Sequence, residues 1–483
     1  MKKFVFCLFF IFSSTFADIK DNVLDKARKS TVTIEGRAAV AAYGSKGSWS
    51  GTGFIANKAK GIIITNEHVT KASNSIANYS IKFHNGRLAQ AKLGYYDLWL
   101  DFSFLQVNPK DIPDDVQEIN FSTKQAFEGQ HVFIVGNTEG QSFSFHDGYI
   151  SNPFEISGDI AQHTFVVNLN IAGGASGSPV LNDDGDAVAI TYGGSKTYAL
   201  ALHGSYISNA LKSYESGVTP QRRHIGVITK MYSLDKVVKH KNFPESLMIA
   251  YLKDFPDSRN NVLAIKAFIP GSKASDKLQN GDIIWEVAGK RVGPSLYEFD
   301  HLMDSVTSNT IDLTIYRNGQ KIPVTLDLYN LEDNKISKML EFGGAVLFET
   351  NDLSSYASGI PIKSLGIAYI APGSGLSVRD LLPYSHERQD FRLKINKIGS
   401  TPVKDIDSAV KAICSLNGAK FITMDFENFN PFITMYNGTI TSRRDLGIAD
   451  IVLSNTETLP KLYTFNKKIM EWELNENPCK QPQ

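Results

Sequence analysis

Cysteine is scarce, with three in 483 residues at positions 7, 414 and 479. That excludes a disulfide framework, and no His-Glu-Xaa-Xaa-His or clustered ligand spacing points to a metal site. An excess charge of one sign is missing too, since 50 Lys+Arg meet 50 Asp+Glu. The chain has no field to draw in nucleic acid or anionic lipid, and no local basic patch supplies one. Long apolar runs are absent beyond the first seventeen residues, so nothing later reads as a membrane span. Glycine and proline, at 37 and 18, are too few for a disordered or fibrous chain. What is present, 42% hydrophobic residues over a chain of this length, predicts two to four packed domains. Peptide or small-molecule partners fit this balance.

The N-terminus reads Lys2-Lys3, an uncharged run from Phe4 to Phe16, then Thr15-Phe16-Ala17 before Asp18. A basic start, a short apolar stretch and small residues at the end predict a secretory signal peptide over 1–17, cleaved after Ala17, against the alternative of an uncleaved anchor. Cleavage would remove two lysines and leave a charge of −2. Cys7 would leave with it. In an oxidising compartment Cys414 and Cys479 could pair and tie the C-terminal extension to the body, or both could stay free.

Short β-type runs punctuated by Gly, Asn and Asp follow, among them Thr31 to Ile34, Gly61 to Thr65, His131 to Val135 and Ala187 to Thr191. They predict an all-β barrel or sandwich domain over 18–215. Ser205 to Leu211 is its first plausible helix, and Ser216 to Pro220 reads as a linker. Beyond it a weak repeat appears. Ile265 to Ser272 (IKAFIPGS), Gly281 to Val292 and the helical Tyr297 to Val306 are echoed by Ile367 to Ser374 (IAYIAPGS), Leu393 to Val403 and Ile406 to Ile413. Two α/β modules of one type, over 224–330 and 340–427, and an extension over 428–483 complete the expected layout.

Within the β-rich region, Ala172-Gly173-Gly174-Ala175-Ser176-Gly177-Ser178-Pro179 carries the most chemistry. Glycines beside a serine allow a tight turn that can aim successive N–H groups at one spot, as an oxyanion site requires. A serine also needs a base and a group to orient that base. His68, at the end of the apolar run from Gly61, and Asp101, just before the run Phe102 to Leu105, are the candidates. Taken singly, the turn could be an ordinary loop, the histidine structural and the aspartate a turn residue; together, in the order His, Asp, Ser, they form one of the known triad sequences.

These residues resemble the HtrA/Deg family of trypsin-fold proteases. Ser50 to Ile55 resembles the family's entry strand, Thr65 to Val69 its histidine motif, Asp97 to Leu105 its aspartate segment and Gly174 to Pro179 its serine motif. Departures are Ala175 and Ser178 around the serine, and Asn168 and Ala172 where Asp and Asn are common. The resemblance implies a mainly β architecture: a trypsin-like double β-barrel followed by two α/β PDZ domains. It implies catalysis by His68, Asp101 and Ser176, with Gly174 and Ser176 N–H groups as the oxyanion hole and Ile190, Thr191, Tyr192 and Gly193 around the specificity pocket. Peptide-binding loops are expected near Val262 and Leu263 in the first module and at Gly343 and Gly344 in the second. No cofactor or metal is expected. Unfolded polypeptides and protein C-termini are the expected partners of a periplasmic or secreted homo-oligomer, a trimer or a multiple of one. A chaperone or peptide-binding scaffold with a dormant protease site is the alternative.

Overall fold

In the computed structural model, residues 19–41, 47–73, 75–157, 161–377, 393–430 and 443–480 are described. The expected signal peptide lies outside them. The described chain begins with α1 (Asp21–Ser30), which buries Ala27 and Ser30. Six strands follow, β1 (Thr31–Ala41), β2 (Gly47–Asn57), β3 (Ile62–Thr65), β4 (Ser75–Lys82), β5 (Leu88–Asp97) and β6 (Phe102–Val107), with the one-turn helix α2 (Glu67–Thr70) after β3. They close in the order β1-β2-β3-β6-β5-β4. Strand β3 shows why its isoleucine run is continuous. Side chains alternate between faces, so Ile63 points into the barrel with Val32, Ile55 and Leu105, while Ile62 and Ile64 join a core outside it.

A second closed barrel, ordered β10-β11-β12-β9-β8-β7, comprises β7 (His131–Thr138), β8 (Gln141–Ser157), β9 (Gln162–Asn168), β10 (Pro179–Leu181), β11 (Ala187–Gly194) and β12 (Ala199–His203), with α3 (Gly204–Glu215) closing the domain. The two barrels are the trypsin-like double-barrel fold, and the whole chain is mainly β.

The first α/β module contains β13 (Arg223–His224), β14 (Val227–Ser233), α4 (Leu234–Lys241), α5 (Glu245–Asp254), β15 (Asn261–Phe268), β16 (Ile283–Val287), β17 (Lys290–Arg291), α6 (Leu296–Ser305), β18 (Thr310–Arg317), β19 (Gln320–Asp327) and β20 (Tyr329–Asn330). The second contains β21 (Lys338–Phe342), β22 (Ala345–Glu349), α7 (Asp352–Ser358), β23 (Leu365–Ile370), β24 (Leu393–Ile398), β25 (Thr401–Pro402), α8 (Ile406–Ser415) and β26 (Phe421–Asn430). Helices α6 and α8 fall where the repeat predicts them. The boundary expected at 427 cuts through β26, and the extension is part of the same sheet: β27 (Arg443–Val452), β28 (Lys461–Asn466) and β29 (Glu471–Asn475) complete the order β27-β26-β24-β23-β22-β21-β28-β29. Cys414 on α8 is bonded to Cys479, with an S–S distance of 2.05 Å.

The first module is not loosely strung on the barrels. One apolar core runs from Phe54 and Phe104 through Phe133 and Leu202 to Leu263, Ile284 and Phe299. A polar knot crosses the same boundary. Arg222, from the linker, lies 2.6 Å from Asp304, 3.5 Å from Asp97 and 3.7 Å from Asp300, and Tyr206 Oη donates to Asp300 Oδ2 at 2.6 Å. Burial pushes the Asp300 carboxyl up to about 7, although Arg222 pulls the other way. Three carboxylates share one guanidinium there.

Removing a buried counter-ion leaves its partners uncompensated. Arg222→Met should therefore lower stability by about 3–5 kcal/mol at neutral pH, read from urea unfolding. The deficit should shrink as pH falls through the range where Asp300 takes up a proton.

Candidate active site

Residue Thr52 of β2 brings the barrels together at the serine loop. Its N–H donates to Ser176 O at 2.9 Å and its hydroxyl donates to Gly174 O at 2.7 Å. That hydroxyl also accepts from the Asn137 N–H at 2.9 Å and from Asn137 Nδ2 at 3.0 Å. Thr52 O in turn accepts from Thr65 Oγ1 at 2.7 Å. A Cβ on Gly177 would lie 2.0 Å from Thr52 O and 2.5 Å from Thr65 Oγ1, and the residue sits at φ +87°. Glycine is required there on both counts. The serine loop is thus packed against Thr65, three positions before His68.

His68 sits within α2 rather than at the strand end expected for it. Its Nδ1 lies 2.7 Å from Asp101 Oδ2, and its backbone N–H donates to Asp101 Oδ1 at 2.9 Å. Asp101 adopts φ 56°, an uncommon conformation for a non-glycine residue, and Asn66 Nδ2 holds its carbonyl at 2.9 Å. Two bonds to one carboxylate fix both the imidazole and the turn that carries it. Desolvation pulls the imidazole pKa down, but the Asp101 carboxylate outweighs it, and the value is raised above the ordinary 6.5.

Around Ser176 the backbone donors divide sharply. Ala175 N–H donates to Ala172 O at 3.2 Å, Gly177 N–H to Thr191 O at 2.9 Å and Ser178 N–H to Ala175 O at 3.0 Å. The N–H groups of Gly174 and Ser176 have no acceptor among the described residues. Gly173 O accepts from Glu139 N–H at 2.9 Å, and in a trans peptide the N–H points opposite the carbonyl. The Gly174 N–H is therefore turned away from Glu139. Gly174 itself, at φ +99°, has no room for a Cβ against Asn137 O at 2.1 Å.

The residues expected around the specificity pocket do different jobs. Ile190 is fully buried in the shared core, so it backs the site rather than lining it. Thr191 is buried as well, its hydroxyl donating to Ala175 O at 2.8 Å and Ser178 O at 3.1 Å. It is a brace for the serine loop. Tyr192, half-buried, shares a 2.8 Å hydrogen bond with Thr164, and Gly193 faces open space. Thr52 and Asn137 were not singled out from the sequence, because a threonine's hydroxyl partner across a domain boundary leaves no local pattern.

In the first module the expected peptide loop is a strand instead. Val262 and Leu263 lie inside β15, fully buried and paired with Tyr232 and Met231 of β14. A strand already flanked on its hydrogen-bonding side and sealed on its faces cannot admit a peptide. Gly343 and Gly344, at φ 62° and 78°, form the two-residue turn between β21 and β22, as that hairpin geometry requires. The glycine overlooked in the first module is Gly226. Its carbonyl accepts from Ile269 N–H at 3.0 Å as Gly344 O accepts from Ala371 N–H at 2.7 Å.

Comparison with known proteins fits this geometry. The trypsin-like peptidase domain family matches residues 51–190. The uncharacterised protein RP187 of Rickettsia prowazekii is 37% identical over 187 residues, covering 38% of this chain and 96% of that protein. The pro-apoptotic serine protease NMA111 of Meyerozyma guilliermondii is 27% identical over 399 residues, covering 79% of this chain and 38% of that one. The chain thus spans about two fifths of the length of that relative. Among solved structures, the serine endoprotease from Yersinia pestis is 20% identical, covers 64% of this chain and 97% of its own, and superposes with a TM-score of 0.43. The chain thus carries a trypsin-like peptidase domain over residues 51–190.

Thr52→Val keeps the shape and removes the hydroxyl. It should strand the Gly174 carbonyl and Asn137 donors, at a cost of about 1–3 kcal/mol in unfolding free energy. Amide exchange at 173–178 should accelerate in step.

Proposed function

We propose that the protein is a serine endopeptidase of HtrA type that cleaves unfolded polypeptides without ATP. The observation that carries this is the pair of unpaired N–H groups on Gly174 and Ser176, set among the satisfied donors of Ala175, Gly177 and Ser178, taken together with the His68–Asp101 pair. A folded loop that leaves two adjacent donors free has a site for developing negative charge.

In this reading Ser176 Oγ attacks the scissile carbonyl and His68 Nε2 accepts its proton, later returning it to the leaving amine. Asp101 keeps the proton of the neutral imidazole on Nδ1 and stabilises the imidazolium. The Gly174 and Ser176 N–H groups receive the oxyanion. Ala175 and Ser178, which depart from the family's usual residues, leave these groups intact: Ala175 is fully buried and Ser178 forms the turn behind the nucleophile. Tyr192 and Gly193 bring no acidic side chain to the specificity pocket, which favours small or aliphatic P1 residues. A periplasmic or secreted location, a trimeric assembly and recognition of client C-termini by the first module belong to the same proposal.

The test is purified protein on unfolded casein and a P1 peptide panel. Cleavage is expected, with Ser176→Ala inactive and alanine, valine or leucine at P1 preferred over lysine. Intact casein with both proteins, including after added C-terminal peptides, would overturn the proposal.

His68 must be neutral to act as a base, so its raised pKa places the loss of activity on acidification above pH 6.5. Asp101→Asn removes the main group that opposes desolvation, so the imidazole should titrate at lower pH. NMR titration in the Ser176→Ala background reads that shift, and kcat should fall by roughly 10⁴ when Ser176 is present.

A further inference from the structure

We infer that the peptide groove of the second module is permanently filled by the chain's own strand β21, and that the C-terminal extension seals it there. The inference rests on reading both modules as PDZ-like. Such domains bind an extended peptide antiparallel to an edge strand, beside a helix, with alternate side chains in pockets.

Gly226 and Gly344 mark equivalent points in the two modules. A Cβ on either would collide with a serine, Ser272 at 2.4 Å or Ser374 at 2.1 Å. The strands that leave these glycines, β14 and β22, are therefore counterparts, as are α6 and α8. In the first module β14 ends the sheet, and the residues before Gly226 turn away to pair β13 with β20. In the second, the residues before Gly344 fold back onto β22 instead. Met339 pairs with Phe348, Leu340 with Leu347, Glu341 with Val346 and Phe342 with Ala345, all antiparallel.

This segment has the attributes of a bound ligand. Leu340 and Phe342, two apart, are buried with Ile406, Ala409 and Ile413 of α8. Lys338, at the other end, holds Asp407 of α8 at 2.6 Å and 2.7 Å. Phe342 therefore takes the place of a terminal residue, and the peptide bond to Gly343 that of its carboxylate. The extension then closes the outside. Strand β28 pairs with β21 from Lys338↔Thr464 to Glu341↔Lys461, Gly343 N–H donates to Glu457 O at 3.2 Å, and Gly375 N–H donates to Glu457 Oε1 at 3.1 Å. The Cys414–Cys479 bond fastens the end of the extension to α8 itself. Both hydrogen-bonding edges of β21 are occupied, so the groove between β22 and α8 has no open edge for a client C-terminus.

The experiment uses the full chain and the peptide Lys-Met-Leu-Glu-Phe with a free carboxylate and a photo-crosslinking group, together with hydrogen exchange. In the wild type, amides 339–342 should exchange within about tenfold of those of β22, and no crosslink should map to 345–349 or 406–415. Leu340→Ser/Phe342→Ser weakens the seat and should admit the peptide at those residues. A wild-type crosslink there, or unprotected 339–342 amides, would overturn the inference. If the folded variant refuses the peptide while the wild-type amides stay protected, the PDZ-like reading of the module fails instead, and if the variant does not fold, wild-type exchange and crosslinking decide.

Discussion

Every arrangement at the site depends on the contact that Thr52 makes between the two barrels. It is one side chain and one peptide unit on a first-barrel strand, yet it holds Gly174 and Ser176 of the second barrel, and its carbonyl is held by Thr65. The serine loop and the histidine turn are therefore referenced to the same residue. Buried polar groups must be paired, and the Thr52–Gly174 bond fixes the 174–175 peptide while Glu139 N–H on Gly173 O fixes the 173–174 peptide that carries the Gly174 N–H. The shape of the serine loop follows from completing hydrogen bonds at a buried interface, with Ala175 packed into the second barrel's apolar cluster.

A second constraint ties that interface to the modules downstream. Asp97 lies at the end of β5, four residues before Asp101, and its carboxylate accepts from Leu100 N–H at 2.8 Å while facing Arg222 at 3.5 Å. The turn that presents Asp101 to His68 is thus anchored on a residue that also faces the linker guanidinium. Movement of the first module would disturb Arg222, then Asp97, then that turn. His163 of the second barrel adds another tie, accepting from Tyr297 N–H of α6 at 3.2 Å. Burial drives its pKa down to about 4, so the ring is neutral and able to accept.

How much of this was legible in the sequence follows from the range of each interaction. Ile62 to Thr65, the glycines around Ser176 and the repeat ending in α6 and α8 are local patterns, and the strands, the turn and the helices appear where those patterns put them. His68, Asp101 and Ser176 stand out in the sequence because triad chemistry demands particular residue types, and the structure pairs the first two. Ile190 and Thr191 are consecutive in β11 and point to opposite faces, yet both are buried, and nothing local in Ile190-Thr191-Tyr192-Gly193 signals the packing that covers each of them. The first module's peptide loop was misplaced because its strands lie far apart in sequence. Helices α4 and α5 separate β14 from β15, so the strand that follows the marker glycine lies far upstream of the one that resembles it in composition.

The second module shows how one inserted turn changes what a fold can bind. At Gly226 the chain enters β14 from a segment paired elsewhere, which leaves an edge. At Gly343-Gly344 two left-handed residues reverse the chain, and the edge is filled by its own preceding residues. Sheet edges attract further strands, and β21 draws β28 for the same reason that β22 draws β21. The hairpin of β28 and β29 then reaches the first barrel, where Phe465 meets Tyr96 at 6.4 Å and Lys92 meets Glu471 at 2.8 Å. Tyr96 directly precedes Asp97. The C-terminal extension thus leans on the strand that leads to Asp101, the residue that holds His68. The first module keeps an edge at β14 that the second has given to its own chain.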